Sequence, residues 1–215
     1  SDGAPAGEST NRAVNPLDKA IVLIEALNRL GEARAARVRH AEVEAAVGRA
    51  TNVLVASLHC GTPGKTTRVA ADCVFAASVS FPPGERLDDV VAEIAGAIEA
   101  ARLADPWLAA NPPKVEFLAG VTGAEIPLDH PLYTTVAGVV RRVTGEAPHV
   151  NPLHTSSDIR VPIVQAGIPT VGLGPLGGDL TQNGAHDEWV DVADYVRSVK
   201  VAALILAAWC GTGPA

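Results

Sequence analysis

The residues best suited to metal chemistry lie near the C-terminal end of the chain, where His186, Asp187 and Glu188 follow a glycine-rich stretch. A neutral imidazole donates a ring nitrogen to a metal ion, and a neighbouring carboxylate can orient it. A zinc site needs three or four ligands, however, and the remaining histidines and cysteines form no HxH, HExxH or CxxC pattern. Spacing alone therefore favours an ordinary loop histidine at position 186.

A second polar cluster, with His154, Ser156, Ser157 and Asp158, holds the residue types of a Ser-His-Asp triad. A triad needs three side chains that converge from different elements, with the base between the other two. A cluster this local favours a loop whose side chains hydrogen-bond backbone groups. Arg160 follows it, and its planar guanidinium could pair with a substrate carboxylate, although a surface arginine is the commoner case.

The run GTPGKT at residues 61–66 looks like the end of a phosphate-binding loop. The complete motif needs a glycine five residues before the second one, and a helix directly after it that points backbone N–H groups at phosphate. His59 stands at that glycine position, and residues 67–81 have the composition of a strand. The run therefore predicts a hairpin turn and not a nucleotide site.

Composition limits the partners and the compartment. The chain has 215 residues, 47% of them hydrophobic, and a net charge of -7. An acidic chain without basic blocks is a poor match for nucleic acid or an anionic membrane surface, and no apolar run approaches the roughly 18 residues that span a bilayer. Three widely separated cysteines and a polar N-terminus without an apolar leader predict a reducing, cytoplasmic location.

The elements that must position these residues fall into two groups. The first group begins with a helix over 15–31 and an exposed, irregular or partly helical connection over 32–50. A hairpin of two strands over 51–58 and 69–81 follows, then a second helix from 85 and a short strand over 114–118. Asn15 caps the first helix and Gly31 ends it. This order predicts a ferredoxin-like domain that lacks its first strand.

The second group alternates helices with a strand, as expected at the edge of an α/β domain. It begins with a helix over 129–145, a polar loop over 148–160 and a short helix over 159–166. A buried strand over 168–173, a glycine-rich loop over 174–184 and a last helix over 191–210 follow. The predicted inner face of the last helix comprises Val192, Val196, Val199, Ala203 and Leu206.

Four segments point to a family. Residues 153–210 carry the pattern TSSD-x-R, then GIPTV-G-x-GP, then a histidine before (D/N)E-x-V, and a final helix. Upstream, AVNPLDKAIVLIEAL, ADCVFAASVSFPPGERLDDVVAEI and DPWLAANPPKVEFLAG follow in order. Over residues 11–210 the chain resembles the C-terminal half of the zinc-dependent aminoacylase/carboxypeptidase family, which includes acetylornithine deacetylase and succinyl-diaminopimelate desuccinylase.

The resemblance implies an α/β (α+β) fold in three parts. These are a flexible segment over 1–14, an incomplete ferredoxin-like lid or dimerisation domain over 15–119, and the C-terminal part of a zinc-hydrolase catalytic domain over 120–215. The family binds two zinc ions, for which cobalt or manganese can substitute. These ions polarise an amide carbonyl and activate a water molecule.

The resemblance also implies roles for four residues. His186 matches a metal ligand, and Gly174 matches a backbone contact near the scissile group. Asn52 and Arg160 match positions that contact the substrate carboxylate. The other ligands and the general base belong to an N-terminal half that precedes the matching stretch. We therefore expect an incomplete active site with no catalytic residue of its own.

Two functions of different class remain open. One is the C-terminal portion of a dizinc metallohydrolase that cleaves the amide bond of N-acyl amino acids or small peptides, inactive without the N-terminal half and dimeric through the lid. The other is a non-catalytic dimerisation or binding module derived from the same family. The retained TSSDIR and GAHDE segments favour the hydrolase. Either way, residues 120–215 should expose apolar surface and cause poor solubility or oligomers.

Overall fold

The computed structural model describes residues 13–152, 157–178 and 186–211. The chain divides into two compact units, one through Gly123 and one from Ala124. The elements in chain order are α1 Pro16–Arg37, α2 Ala41–Val47, β1 Asn52–Cys60, β2 Cys73–Ser80, α3 Leu87–Ala104, α4 Pro106–Ala110, α5 Pro131–Thr144, α6 Arg160–Ala166 and α7 Val192–Cys210. Most of the predicted N-terminal segment, over 1–14, lies outside the described residues.

The two predicted strands of the first unit form the expected antiparallel hairpin. Asn52 pairs with Ser80 at one end of the ladder, and Cys60 pairs with Cys73 at the other. Gly64 in the connecting loop has a φ of 78°, in the left-handed region that favours glycine. The loop leads into β2 and not into a helix. The GTPGKT run is therefore a hairpin connection and lacks the helix N-terminus that a phosphate loop requires.

Helix α1 packs its apolar face against the rest of the first unit. The Asn15 side chain accepts the N–H of Leu17 at 3.1 Å, as predicted for the cap, and Pro16 occupies the first turn. The core cluster draws residues from α1, α3 and α4, with β2 contributing a half-buried phenylalanine: Leu23, Ala26, Ala101, Leu108 and Phe75. This packing fixes the hairpin against the helices.

The predicted end of the first helix is wrong, because α1 continues through Gly31 to Arg37. A Cβ atom at Gly31 would lie 3.1 Å from the Cβ of Val53 in β1. The glycine therefore permits a close approach between the helix and the strand, and it does not terminate the helix.

Residues 32–50, predicted to be an exposed, irregular or partly helical connection, are mostly exposed and mostly helical. The segment forms the last turns of α1 and the short helix α2. Arg34, predicted to be exposed, is completely buried. Its guanidinium donates to Glu93 at 2.5 Å and to Glu85 at 2.6 Å, so the charge is neutralised by two carboxylates.

Two short predicted strands, over 114–118 and 168–173, do not form. Both segments are irregular, and neither pairs with another strand among the described residues. A strand is held in place by hydrogen bonds to a neighbouring strand, and the described part of the chain supplies no such neighbour here. Apolar side chains such as Phe117 and Leu118 consequently remain exposed.

The helices of the second unit form where they were predicted. α5 ends at Gly145, whose φ of 86° is the left-handed C-terminal cap that the glycine predicted. The Asp191 side chain accepts the N–H of Asp194 at 2.7 Å and caps α7. The core between α5 and α7 consists of Val136, Val139, Val140 and Val201.

The predicted inner face of α7 is wrong. Its five residues are all exposed: Val192, Val196, Val199, Ala203 and Leu206. Val201 is buried instead, with Ile205 packed beside it against α5. Because α7 is apolar around most of its circumference, periodicity does not identify the face that α5 covers.

Candidate functional site

His186, the predicted metal ligand, lies in an exposed turn that leads into α7. No group of three or more His, Cys, Asp or Glu side chains in the described residues is arranged to hold a metal ion. One imidazole cannot hold a catalytic zinc ion, which needs at least three protein ligands. The described residues therefore do not form a complete metal centre by themselves.

The loop that contains Gly174 is attached to the segment before α7 by backbone hydrogen bonds. Gly177 and Val190 form an isolated antiparallel bridge, and the N–H of Gly178 donates to the carbonyl of Trp189 at 3.1 Å. A Cβ atom at Gly177 would lie 3.2 Å from that same carbonyl oxygen, so a glycine suits this close approach. These contacts hold the positions after His186 in a fixed relation to the glycine-rich loop.

Asp194 links this loop to α7 from the helix side. Its carboxylate accepts the N–H of Leu176 at 2.6 Å and forms an ion pair with Arg197 at 3.2 Å. A small cavity of about 70 Å³ opens beside it, lined by Val140, Thr144, Leu173, Gly174, Asp194, Arg197, Ser198 and Val201. Substrate pockets are usually several times larger. Neither Arg160 nor His186 is among these lining residues, so the cavity does not unite the predicted site.

Arg160 begins α6 and is held by the turn before it. Its guanidinium donates to the carbonyl of Ser157 at 2.7 Å and lies 3.6 Å from the carboxylate of Asp158. His154 and Ser156, the other members of the polar cluster, lie outside the described residues. The described part of the cluster is thus a local turn, with Arg160 bound to its backbone.

Asn52 lies in the first unit, at the start of β1, and its side-chain oxygen accepts from Arg49 at 2.9 Å. The preceding residue, Thr51, is buried; its hydroxyl donates to the Ser80 carbonyl at 2.7 Å and accepts from Arg34 at 3.3 Å. The buried arginine therefore fixes the backbone on which Asn52 stands. Sequence analysis missed this support.

A signal for that support is present in the sequence. Leu23, Leu27, Gly31 and Arg34 recur at helical spacing, so they share one face of α1. Because Gly31 was interpreted as the end of the helix, Arg34 was separated from the face to which it belongs.

Comparison with known proteins identifies the family. Residues 24–208 match the model of peptidase family M20/M25/M40. The chain belongs to this family. The resemblance proposed from the sequence is confirmed, as is the mixed α/β fold class. Family M20 comprises metal-dependent peptidases.

Two solved structures share the fold. One is an M20 family metallo-carboxypeptidase from Sulfolobus solfataricus, with a TM-score of 0.65 and 15% identity over 92% of this chain. The other is a di-peptidase from Saccharomyces cerevisiae, with a TM-score of 0.63 and 14% identity over 100% of this chain. The chain covers 53% of each of these proteins. No curated protein matches it.

Among the residues that the structure describes, no helix combines the length and the apolar character that crossing a bilayer requires.

Proposed function

We propose that this chain is the C-terminal portion of a dizinc metallohydrolase that cleaves the amide bond of N-acyl amino acids or small peptides. The observation that carries the proposal is the family match over residues 24–208 in a chain that spans about half of an M20 metallo-carboxypeptidase and of a di-peptidase. In this proposal residues 15–119 act as a lid and homodimerisation domain, and residues 120–215 complete a catalytic domain in the cytoplasm.

His186 supplies one metal ligand in the proposed enzyme. Its place in the turn before α7, beside a loop fixed by Asp194, suits a ligand that has to be held in one position. The described residues do not complete the metal centre, so the other ligands and the general base must be supplied from elsewhere. Zinc is the expected metal, with cobalt or manganese as substitutes.

Three residues contact the substrate in this proposal. Arg160 and Asn52 bind its carboxylate, because a guanidinium and an amide both donate hydrogen bonds to carboxylate oxygens. Gly174 contributes a backbone group near the scissile bond. A Cβ atom at Gly174 would meet nothing within 4 Å, so there is open space beside this backbone.

The decisive measurement is the zinc content per chain after exhaustive dialysis, for this chain alone and after mixing with an N-terminal half encoded upstream. We expect almost no zinc on the chain alone. We expect about two zinc ions per reconstituted pair, together with hydrolysis of N-acyl amino acids or dipeptides. Stoichiometric zinc on the chain alone would contradict the proposed ligand set.

Two histidine variants compare the proposed metal ligand with a histidine that is not expected to bind metal. His186→Ala should reduce the zinc content of the reconstituted pair and abolish hydrolysis. His59→Ala changes another exposed histidine, in β1, and should leave both unchanged. Full zinc and activity in His186→Ala would show that His186 is not a ligand. A pair that assembles as a dimer but never binds zinc would favour the dimerisation module instead.

A further inference from the structure

Cys60 and Cys73 lie opposite each other at the end of the hairpin, where β1 leaves for the connecting loop and β2 begins. Directly paired residues on antiparallel strands have Cα atoms about 4.5–5.5 Å apart. Disulfides need Cα atoms about 4.4–6.8 Å apart, so no backbone movement is required to join the two sulfurs. Both thiols are free, and Cys60 is exposed.

The chemical environment distinguishes the two thiols. Partial burial, a hydrogen bond with the Cys60 side chain, and the charges of Cys60 and Asp72 raise the pKa of Cys73 to about 11. Cys73 is therefore a protonated thiol at neutral pH, in contact with the other sulfur. Cys60 is the more accessible of the two, so an incoming reagent should reach it first.

We propose that Cys60 and Cys73 are a redox modification site, at which a small-molecule disulfide converts the two thiols into a reversible cross-strand disulfide. The Cys60 thiol loses its proton, and its sulfur attacks the reagent, forming a mixed disulfide and releasing one small thiol. The Cys73 thiol then loses its proton, and its sulfur attacks the Cys60 sulfur and releases the second small thiol. One reagent disulfide is reduced to two thiols, and two protein thiols become one disulfide.

The disulfide would tie together the two ends of the loop over 61–72. This loop contains Lys65 and Arg68, two trypsin sites between the cysteines. Cleavage at either site separates the chain into pieces that the disulfide would still hold together. The hairpin end that carries the cysteines is opposite to the end that carries Asn52. The inference is therefore independent of the proposed hydrolase.

The test exposes the full chain to oxidised glutathione at pH 8 and counts free thiols, with peptide mapping before and after reduction. In Cys210→Ser, which keeps only Cys60 and Cys73, we expect the number of free thiols to fall from two to none, with the two peptides joined and two hydrogen atoms lost. In the unmodified chain the exposed Cys210 also takes up a glutathione adduct. After limited trypsin digestion, the pieces should migrate together on a non-reducing gel and separate when a reductant is added.

Three serine variants serve as controls. Cys210→Ser, which removes the thiol at the end of α7, should still form the link. Cys73→Ser should retain a stable glutathione adduct on Cys60, because no second thiol can displace it. Glutathione adducts on Cys60 in the unmodified chain, without a joined peptide, would overturn the proposal. Disulfides between chains that form in Cys210→Ser, without the internal link, would overturn it as well.

Discussion

Arg34 and Arg37 lie one turn apart on α1 and both bind Glu93, but their surroundings differ. The side chain of Arg34 is 0% exposed, whereas that of Arg37 is 60% exposed. Exposed ion pairs contribute little to stability, because water screens them and side-chain freedom is lost. Removing one member of a buried pair costs much more, since its partners keep charges that have lost their counter-charge.

We predict that Arg34→Ala lowers the free energy of unfolding by about 3 kcal/mol, and that Arg37→Ala lowers it by less than about 1 kcal/mol. Both variants remove an arginine from Glu93, but Arg34→Ala also removes the bonds to Glu85 and Thr51, so the comparison measures the buried network as a whole. Urea unfolding followed by circular dichroism measures both values. Equal losses in the two variants would show that the network around Arg34 does not support the first unit.

The lowered pKa of Glu93 also predicts how the stability of the first unit depends on pH. Burial raises the pKa of Glu93, but hydrogen bonds and charges from Arg34 and Arg37 outweigh it and leave the pKa below its ordinary value of 4.5. A carboxyl whose pKa is lowered by folding stabilises the folded state above its unfolded pKa. That contribution is lost as the pH falls through the lowered value.

Thermal melts from pH 6 downward should therefore show falling stability of the first unit below about pH 4.5. In Glu93→Gln the fall should be shallower, because the amide does not titrate, although the variant starts from a lower stability. A pH profile with the same slope in both proteins would contradict this assignment.

At the level of the element, Gly31 and Gly96 are two glycines inside helices with different surroundings. A Cβ at Gly31 would lie 3.1 Å from Val53, whereas a Cβ at Gly96, in α3, meets nothing within 4 Å. Alanine in a helix is favoured over glycine by up to about 1 kcal/mol. Crowding in a packed core costs about 1–3 kcal/mol, so the two glycines should respond with opposite sign.

We predict that Gly96→Ala raises the free energy of unfolding by about 0.5–1 kcal/mol and that Gly31→Ala lowers it by a similar amount. Combining Gly31→Ala with Val53→Ala should recover only a small part of the loss, because the second change removes the Cγ2 methyl group at 3.3 Å but keeps the Cβ at 3.1 Å. Denaturant unfolding of the four proteins tests this. Stabilisation by Gly31→Ala alone would refute the close-approach role.

Local signals predicted most of the helices but not every boundary. Three helix caps lie at the residues that the sequence predicted, namely Asn15, Gly145 and Asp191. The same reasoning could have found α4, because Asp105 precedes a proline and its side chain accepts the N–H groups of Trp107 and Leu108.

The features that local signals missed depend on contacts distant in sequence. The pairing of Cys60 with Cys73 was not predicted, because the predicted strand ends near the hairpin loop differ from the observed ends by two residues or more. The register of two strands depends on the whole ladder of hydrogen bonds between them. Segments 114–118 and 168–173 have strand composition, yet strands form only beside a partner. Membership of family M20 was readable from ordered motifs, whereas the relative placement of the four predicted site residues was not.

At the level of the whole molecule, α7 presents a second apolar surface that the described residues leave uncovered. Val192, Val196, Val199 and Leu206 are each at least half exposed, and Val201 alone among the described residues of this helix is buried. A contiguous apolar surface of this kind promotes association. The chain covers 53% of each of the two solved structures that share its fold, and in the proposed enzyme the half that it does not span would cover this face.

We predict that the isolated chain forms higher-order oligomers through this face. Val199→Glu combined with Leu206→Glu should reduce them, because two charges then interrupt the exposed apolar stripe while the Val201 contact with α5 is kept. Lys200→Glu is the matched control, since it shifts the net charge by the same two units without removing apolar surface. Light scattering after size-exclusion chromatography reports the masses. An unmodified chain that elutes as a monomer with a sharp, cooperative thermal transition would contradict the prediction. An equal loss of oligomers in Lys200→Glu would also contradict it, because the association would then depend on net charge and not on the apolar face.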